Sequence, residues 1–118
     1  MKLYSVIAWM ALGMMAVSQS PNDQQEFAYV RHEIQSSQSF VPKGGYVPDA
    51  NTAIAIAYAV AVPIYGEKAI EAEKPFRTEL KDGNWIVLGT LHHATSGGTL
   101  IVQIDQASGK ILYLNHSM

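Results

Sequence analysis

The stretch Pro48-Asp49-Ala50-Asn51-Thr52-Ala53-Ile54-Ala55-Ile56-Ala57-Tyr58-Ala59-Val60-Ala61-Val62-Pro63-Ile64-Tyr65-Gly66 decides the fold. Ala53 to Tyr65 carries no charge, so the run belongs in an interior. It is short of the roughly 20 residues that span a bilayer. Ile54, Ile56, Tyr58, Val60 and Val62 fall on every second position, the period of a strand. The residues between them are alanines, the best helix formers and poor strand formers. Asp49 is a good N-cap, and Pro48 before it suits a chain entering a helix. Pro63 is expected to stop that helix, because it lacks an N–H and clashes with the preceding turn. Wound as a helix, Ile54, Tyr58 and Val62 form one stripe and Ile56 and Val60 its neighbour. The residues favour the helix, and the bare alternation keeps the strand as its rival.

Everything after Pro75 reads as strands that such a helix would cover. Phe76 to Leu80 alternates Phe76, Thr78 and Leu80 with Arg77 and Glu79. Lys81-Asp82-Gly83-Asn84 carries an Asp-Gly hairpin signal. Trp85 to Leu91 is apolar on both faces, with Trp85, Val87 and Leu91 on one and Ile86 and Leu88 on the other. A loop with a Gly-Gly end, His92 to Gly98, leads to the β-branched run Thr99 to Asp105. Gln106-Ala107-Ser108-Gly109 turns the chain into a last strand, Lys110 to Asn115. Short turns between consecutive strands make an antiparallel meander. The fold class expected is therefore α+β, a helix packed on a four-stranded antiparallel meander sheet. The sheet's second face keeps apolar residues, Ile86 and Leu88 or Leu112 and Leu114, which call for a second cover from the N-terminal segment or another protein.

The totals limit what such a domain can do. The chain has 118 residues, 48% of them apolar and 15% charged, with a net charge of −2. That is enough for one domain and too apolar for a disordered chain. No basic stripe exists, which excludes nucleic acid and a lipid surface as partners. Residues 1–18 read as a signal peptide: Lys2 supplies the positive start, Leu3 to Met15 the apolar region, and Ala16-Val17-Ser18 the small-x-small pattern. Cleavage is expected between Ser18 and Gln19, and a retained anchor is the competing reading. The cleaved chain would carry 7 basic and 10 acidic residues, a balance of −3. With no Cys anywhere, thiol chemistry and disulfides are out. Residues 19–43 form an N-terminal arm. Gln19 to Gln25 reads as unstructured, and Phe27, Val30 and Ile34 space a possible helix over Glu26 to Gln38, with a mobile linker as the alternative. Residues 44–118 form the α+β domain.

A search for chemistry finds little. His92 and His93 are adjacent, an awkward pair for one metal, and no acid stands at a ligand spacing from them. His116 could approach the His92–Gly98 loop, but exposed loop histidines explain all three. Glu67, Glu71 and Glu73 make an acidic cluster, read either as a solvated turn or as a contact for a basic partner. Gly44-Gly45 and Gly97-Gly98 lack the spacing and the Lys of a phosphate loop. Tyr46 and Tyr65 flank the central run, where tyrosines commonly anchor interfaces. Tyr46, Tyr65, Glu67, Glu71 and Glu73 are thus the candidate partner-binding residues. No catalytic residue, metal ligand or cofactor is assigned.

An ordered set of short motifs resembles a bacterial immunity-protein family with a nuclear-transport-factor-2-like fold. It runs Gly44-Gly45-Tyr46-Val47-Pro48-Asp49, Thr52-Ala53-Ile54, Pro63-Ile64-Tyr65-Gly66-Glu67 and Lys74-Pro75-Phe76. It continues with Leu80-Lys81-Asp82-Gly83-Asn84-Trp85-Ile86-Val87, Gly89-Thr90-Leu91, Gly97-Gly98, Asp105 and Gly109-Lys110-Ile111. The resemblance implies a helix after Val47-Pro48-Asp49. It also implies a non-enzymatic protein that binds a cognate toxin from competing bacteria and neutralises it by occlusion; the signal peptide makes a periplasmic or secreted location the expectation after cleavage. A second reading is a periplasmic inhibitory or propeptide-like module that binds a protease or cell-envelope enzyme. A third, an enzyme or small-ligand carrier, would have to rely on Tyr58, Thr78 and Thr90 as the polar groups between helix and sheet.

Overall fold

A computed structural model describes residues 20–92 and 98–116. The expected cleavage between Ser18 and Gln19 and the position of His93 lie outside them. The chain separates into two units, the first ending at Phe40 and the second beginning at Val41.

In the first unit, helix α1 spans Pro21–Ser36. It starts well before the expected Glu26, so Gln19 to Gln25 is not an unstructured arm where it is described. The cause is a reciprocal cap. The Ser20 hydroxyl accepts from the Asp23 N–H at 3.1 Å, and the Asp23 carboxylate accepts from the Ser20 N–H at 3.2 Å. Pro21, just inside the start, lacks only an N–H that the first turn leaves unpaired anyway. None of the residues of α1 is buried.

The second unit opens on helix α2, Ala50–Tyr65. Asp49 caps it as expected, its Oδ1 accepting from the Thr52 N–H at 2.8 Å and from the Thr52 hydroxyl at 2.7 Å. Two expectations are corrected. Pro63 does not stop the helix, which runs two residues further. Pro63 lies in the last turn on the exposed side, and the carbonyl it leaves unpaired belongs to Ala59, which is also exposed. Water can satisfy that group, and the Gly66 N–H closes the end on the Val62 carbonyl at 2.8 Å. The centre of the buried face is not the Ile54, Tyr58 and Val62 stripe either. It is a ridge of Ala53, Ala57 and Ala61, each at most 1% exposed. Methyl side chains let the helix backbone lie close to the sheet, while Ile54, Ile56, Tyr58, Val62 and Tyr65 pack along the flanks. Gly66, at φ +96°, separates α2 from the short helix α3, Glu67–Glu71, which buries Ile70.

Four antiparallel strands follow in the order β1-β2-β3-β4: β1 Arg77–Lys81, β2 Asn84–Leu88, β3 Leu100–Asp105 and β4 Ile111–His116. This is the meander read from the sequence. Asp82 and Gly83 both take positive φ, 52° and 76°, the geometry of a two-residue hairpin loop. β2 is shorter than expected because the chain turns away after Gly89: the Gly89 N–H still donates to the Leu100 carbonyl of β3 at 3.0 Å, but the Thr90 N–H donates to the Glu73 carbonyl. On the α2 side the core is Trp85, Val87, Leu100, Val102 and Ile104. Ile86, Leu88 and Ile101 are half-buried on the opposite face. Leu112 is skipped in the pairing, Tyr113 facing Gln103 and Ile111 facing Ile104. The loop before α2 closes one end of the layer: the Tyr46 and Val47 N–H groups donate to the Ala107 and Gln106 carbonyls. Buried Trp85 Nε1 donates to the Val47 carbonyl at 2.7 Å. No helix of the described residues is long and apolar enough to cross a membrane.

Candidate functional site

Polar side chains converge where the chain passes from α3 into β1. Glu73 is the centre, a carboxylate only 8% exposed. A buried charge must be paired to be tolerated, and both of its oxygens are used. Oε1 accepts from the Leu100 N–H at 2.7 Å, and Oε2 lies 2.5 Å from His116 Nε2. The first contact holds the start of β3 and the second the end of β4. The pair is ionic when the imidazole is protonated, and the Tyr65 ring leans on that imidazole at 5.4 Å between centroids. Glu73 also uses its backbone, its carbonyl accepting from the Thr90 N–H at 2.8 Å. Gly89 passes so close that a Cβ there would overlap Glu73 Oε1. That is why the chain has no side chain at position 89.

Around this clasp the Lys74-Pro75 segment, whose peptide bond is cis, is held by two further contacts, and a third ties Arg77 of β1 to the end of β2. His92 Nε2 lies 2.6 Å from the Lys74 carbonyl, the Thr90 hydroxyl donates to the Pro75 carbonyl at 2.6 Å, and Arg77 donates to the Gly89 carbonyl at 2.6 Å. Outside it is a second, exposed cluster. The Tyr58 hydroxyl donates to Glu71 Oε2 at 2.5 Å, and Lys74 Nζ stands 3.1 Å from the same oxygen. Lys74 also lies 5.4 Å from the Tyr58 ring centroid. The Tyr58 hydrogen bond, and then Lys74, hold the Glu71 carboxyl below its usual range. The same bond to Glu71 pushes the Tyr58 phenol up to about 12.

The candidate residues are therefore divided. Tyr65, Glu71 and Glu73 gather at this end of the sheet, with Glu67 exposed on the first turn of α3. Tyr46, 41% exposed, lies at the opposite end, against the β3–β4 turn. Glu73 departs from the solvated turn expected of it, since it is turned into the fold. His116 is likewise no exposed loop residue: it sits in β4, half-buried, bonded to Glu73. Sequence reasoning missed this pair because 43 positions separate its members, and no local pattern marks a long-range contact. Among the described residues no group of three or more His, Cys, Asp or Glu could hold a metal ion. No buried side-chain polar atom among them lacks a partner. The polar groups of the clasp are thus committed to tying β3 and β4 to the α3–β1 connection.

What the layer belongs to is decided by comparison. A sequence model of the NTF2 fold immunity protein family matches residues 52–118, which takes in all but the first two residues of α2, the clasp and the four strands. The chain belongs to the NTF2 fold immunity protein family. It is also similar to two proteins of Escherichia coli (strain K12). It is 38% identical over 53 residues to "Uncharacterized protein YhhH", covering 44% of this chain and 42% of that one. It is 42% identical over 55 residues to "Uncharacterized protein YbbC", covering 45% and 44%. The chain thus spans less than half the length of these two relatives. No solved structure matches. The family's fold agrees with helices packed on a four-stranded antiparallel sheet.

Proposed function

We propose that this protein is a periplasmic immunity protein. It binds a cognate protein toxin and blocks it by occlusion, with no chemical step of its own. The observation that carries the reading is the family match, because it runs from the first turn of α2 through all four strands rather than over a single turn. Two features favour occlusion. The buried Glu73–His116 pair is consumed by structural contacts, both carboxylate oxygens being engaged. The sheet face away from α2 offers Ile86, Leu88 and Ile101 beside Arg77, Glu79 and Gln103, a mixed apolar and polar surface of the kind interfaces use. Tyr46 and Glu67, both exposed, are the best placed of the sequence candidates to touch the toxin. Periplasmic location rests on the Lys2, apolar and Ala16-Val17-Ser18 pattern at the N-terminus.

Deletion of the gene should make cells sensitive to a toxin released by siblings, and expression from a plasmid should restore resistance. A purified complex of this chain with that toxin should form at one to one. Deletion without sensitisation, together with no toxin in a pull-down, would discard the reading. Fractionation should recover the protein from the periplasm with Gln19 as its first residue; a full-length cytoplasmic chain would discard the location.

A further inference from the structure

The two edges of the sheet are chemically unlike. β1 carries Arg77, Glu79 and Lys81, all exposed. β4 carries no Asp, Glu, Lys or Arg, although Leu112 and Tyr113 are 45% and 48% exposed. Among the described residues no strand pairs with the outer edge of β4. An edge strand presents a row of unpaired N–H and C=O groups, and charges along it are a common protection against pairing with another chain. β1 has that protection and β4 does not. The skipped residue, Leu112, lies near the start of β4 and leaves Tyr113 to His116 in regular pairing with β3. A regular, uncharged, partly apolar strand at an open edge is built to receive another strand.

We propose that β4 is the seat of a symmetric homodimer, in which β4 of a second copy adds antiparallel and the two sheets join into one of eight strands. Self-complementarity argues for a second copy. Antiparallel partners directly opposite one another share a face, so a two-fold axis at Leu114 sets Leu114 against its own counterpart and Tyr113 against Asn115. No like charges meet. Tyr113 and Asn115 already form a hydrogen bond within one chain, Asn115 Nδ2 donating to the Tyr113 hydroxyl at 3.4 Å. The same two groups would therefore face each other across the axis. β1 behaves oppositely. The register that pairs all five of its residues sets Glu79 against Glu79 and Arg77 against Lys81, so each charged residue of the strand meets a like charge, which is destabilising. With the axis perpendicular to the sheet, both α2 helices lie on one side and both open faces on the other. Paired edges alone bury little surface, so the dimer is concentration-dependent.

Sedimentation of the protein purified after expression of the whole gene reads this directly, over about 1 to 500 µM. The weight-average mass should rise towards twice the chain mass, and Tyr113→Lys should hold it at one. The absence of native cysteine gives a second measurement that does not depend on that variant folding. Tyr113→Cys and Asn115→Cys chains are oxidised separately and as an equal mixture. The mixture should give disulfide-linked dimers, because positions 113 and 115 face each other. Each variant alone should give far fewer, because like positions are diagonal and too far apart for a disulfide. A mass that stays monomeric, or a mixture no more cross-linked than its components, overturns the proposal. No toxin is present in either measurement, so the outcome is separate from that of the toxin-binding reading.

Discussion

A carboxylate at position 73 and a missing side chain at position 89 are two halves of one constraint. Gly89→Ala would drive a methyl group into Glu73 Oε1, and either the carboxylate or the β2 end must move. The expected result is loss of cooperative unfolding or a large fall in melting temperature, read by circular dichroism. Glu73→Ala removes the acceptor for the Leu100 N–H and His116. It should cost about 2–3 kcal/mol in urea unfolding, the usual scale for a charged buried hydrogen bond and an orphaned donor. The exposed acids make a different prediction. Asp49, Glu71 and Asp105 all hold their protons more weakly than usual, through hydrogen bonds from Thr52, Tyr58 and Ser108 respectively. Their stabilisation is complete above the ordinary carboxylate range and declines as pH falls through the lowered values. Tyr58 has the opposite sign. Its contribution is whole below 10 and is lost as pH rises through about 12. Tyr58→Phe should flatten that alkaline limb and return Glu71 towards its ordinary titration, both visible by NMR.

At the scale of the element, α2 is held by its cap and its ridge. Asp49→Ala should lower the melting temperature, because it removes the N-cap acceptor of the Thr52 N–H. Ala57→Leu should cost about 1–3 kcal/mol by overpacking, whereas Ala55→Leu, on the exposed side, should be nearly neutral in the same thermal melt. The helix was legible because Asp49 and the alternate alanines are local signals. Its contact face was not, because a reading by size assigns the interior to Ile54, Tyr58 and Val62. The closest approach belongs instead to the smallest side chains. Pro63 misled for a related reason: its penalty depends on which side of the helix it faces, which the sequence alone leaves open. The start of α1 was missed because Asp23, rather than a glutamate, completes the cap. The strands were legible nearly throughout, their turns being written in Asp82-Gly83 and Ser108-Gly109. The clasp was not, since Glu73, Gly89, Leu100 and His116 meet only after the meander has folded.

At the scale of the molecule, every buried core residue among the described residues falls between Val47 and Ile104. A chain beginning at Val41 should therefore unfold in one cooperative transition, with the melting temperature of the full protein. Loss of that transition would show that residues before 41 complete the core. Within this unit β3 divides its labour residue by residue. Leu100, Val102 and Ile104 are buried, and Ile101, Gln103 and Asp105 between them face the other way. Mutational drift at Ile86, Ile101 and Gln103 thereby leaves the core beneath α2 untouched. Descendants of this chain can diversify what that side recognises while the scaffold beneath keeps its packing.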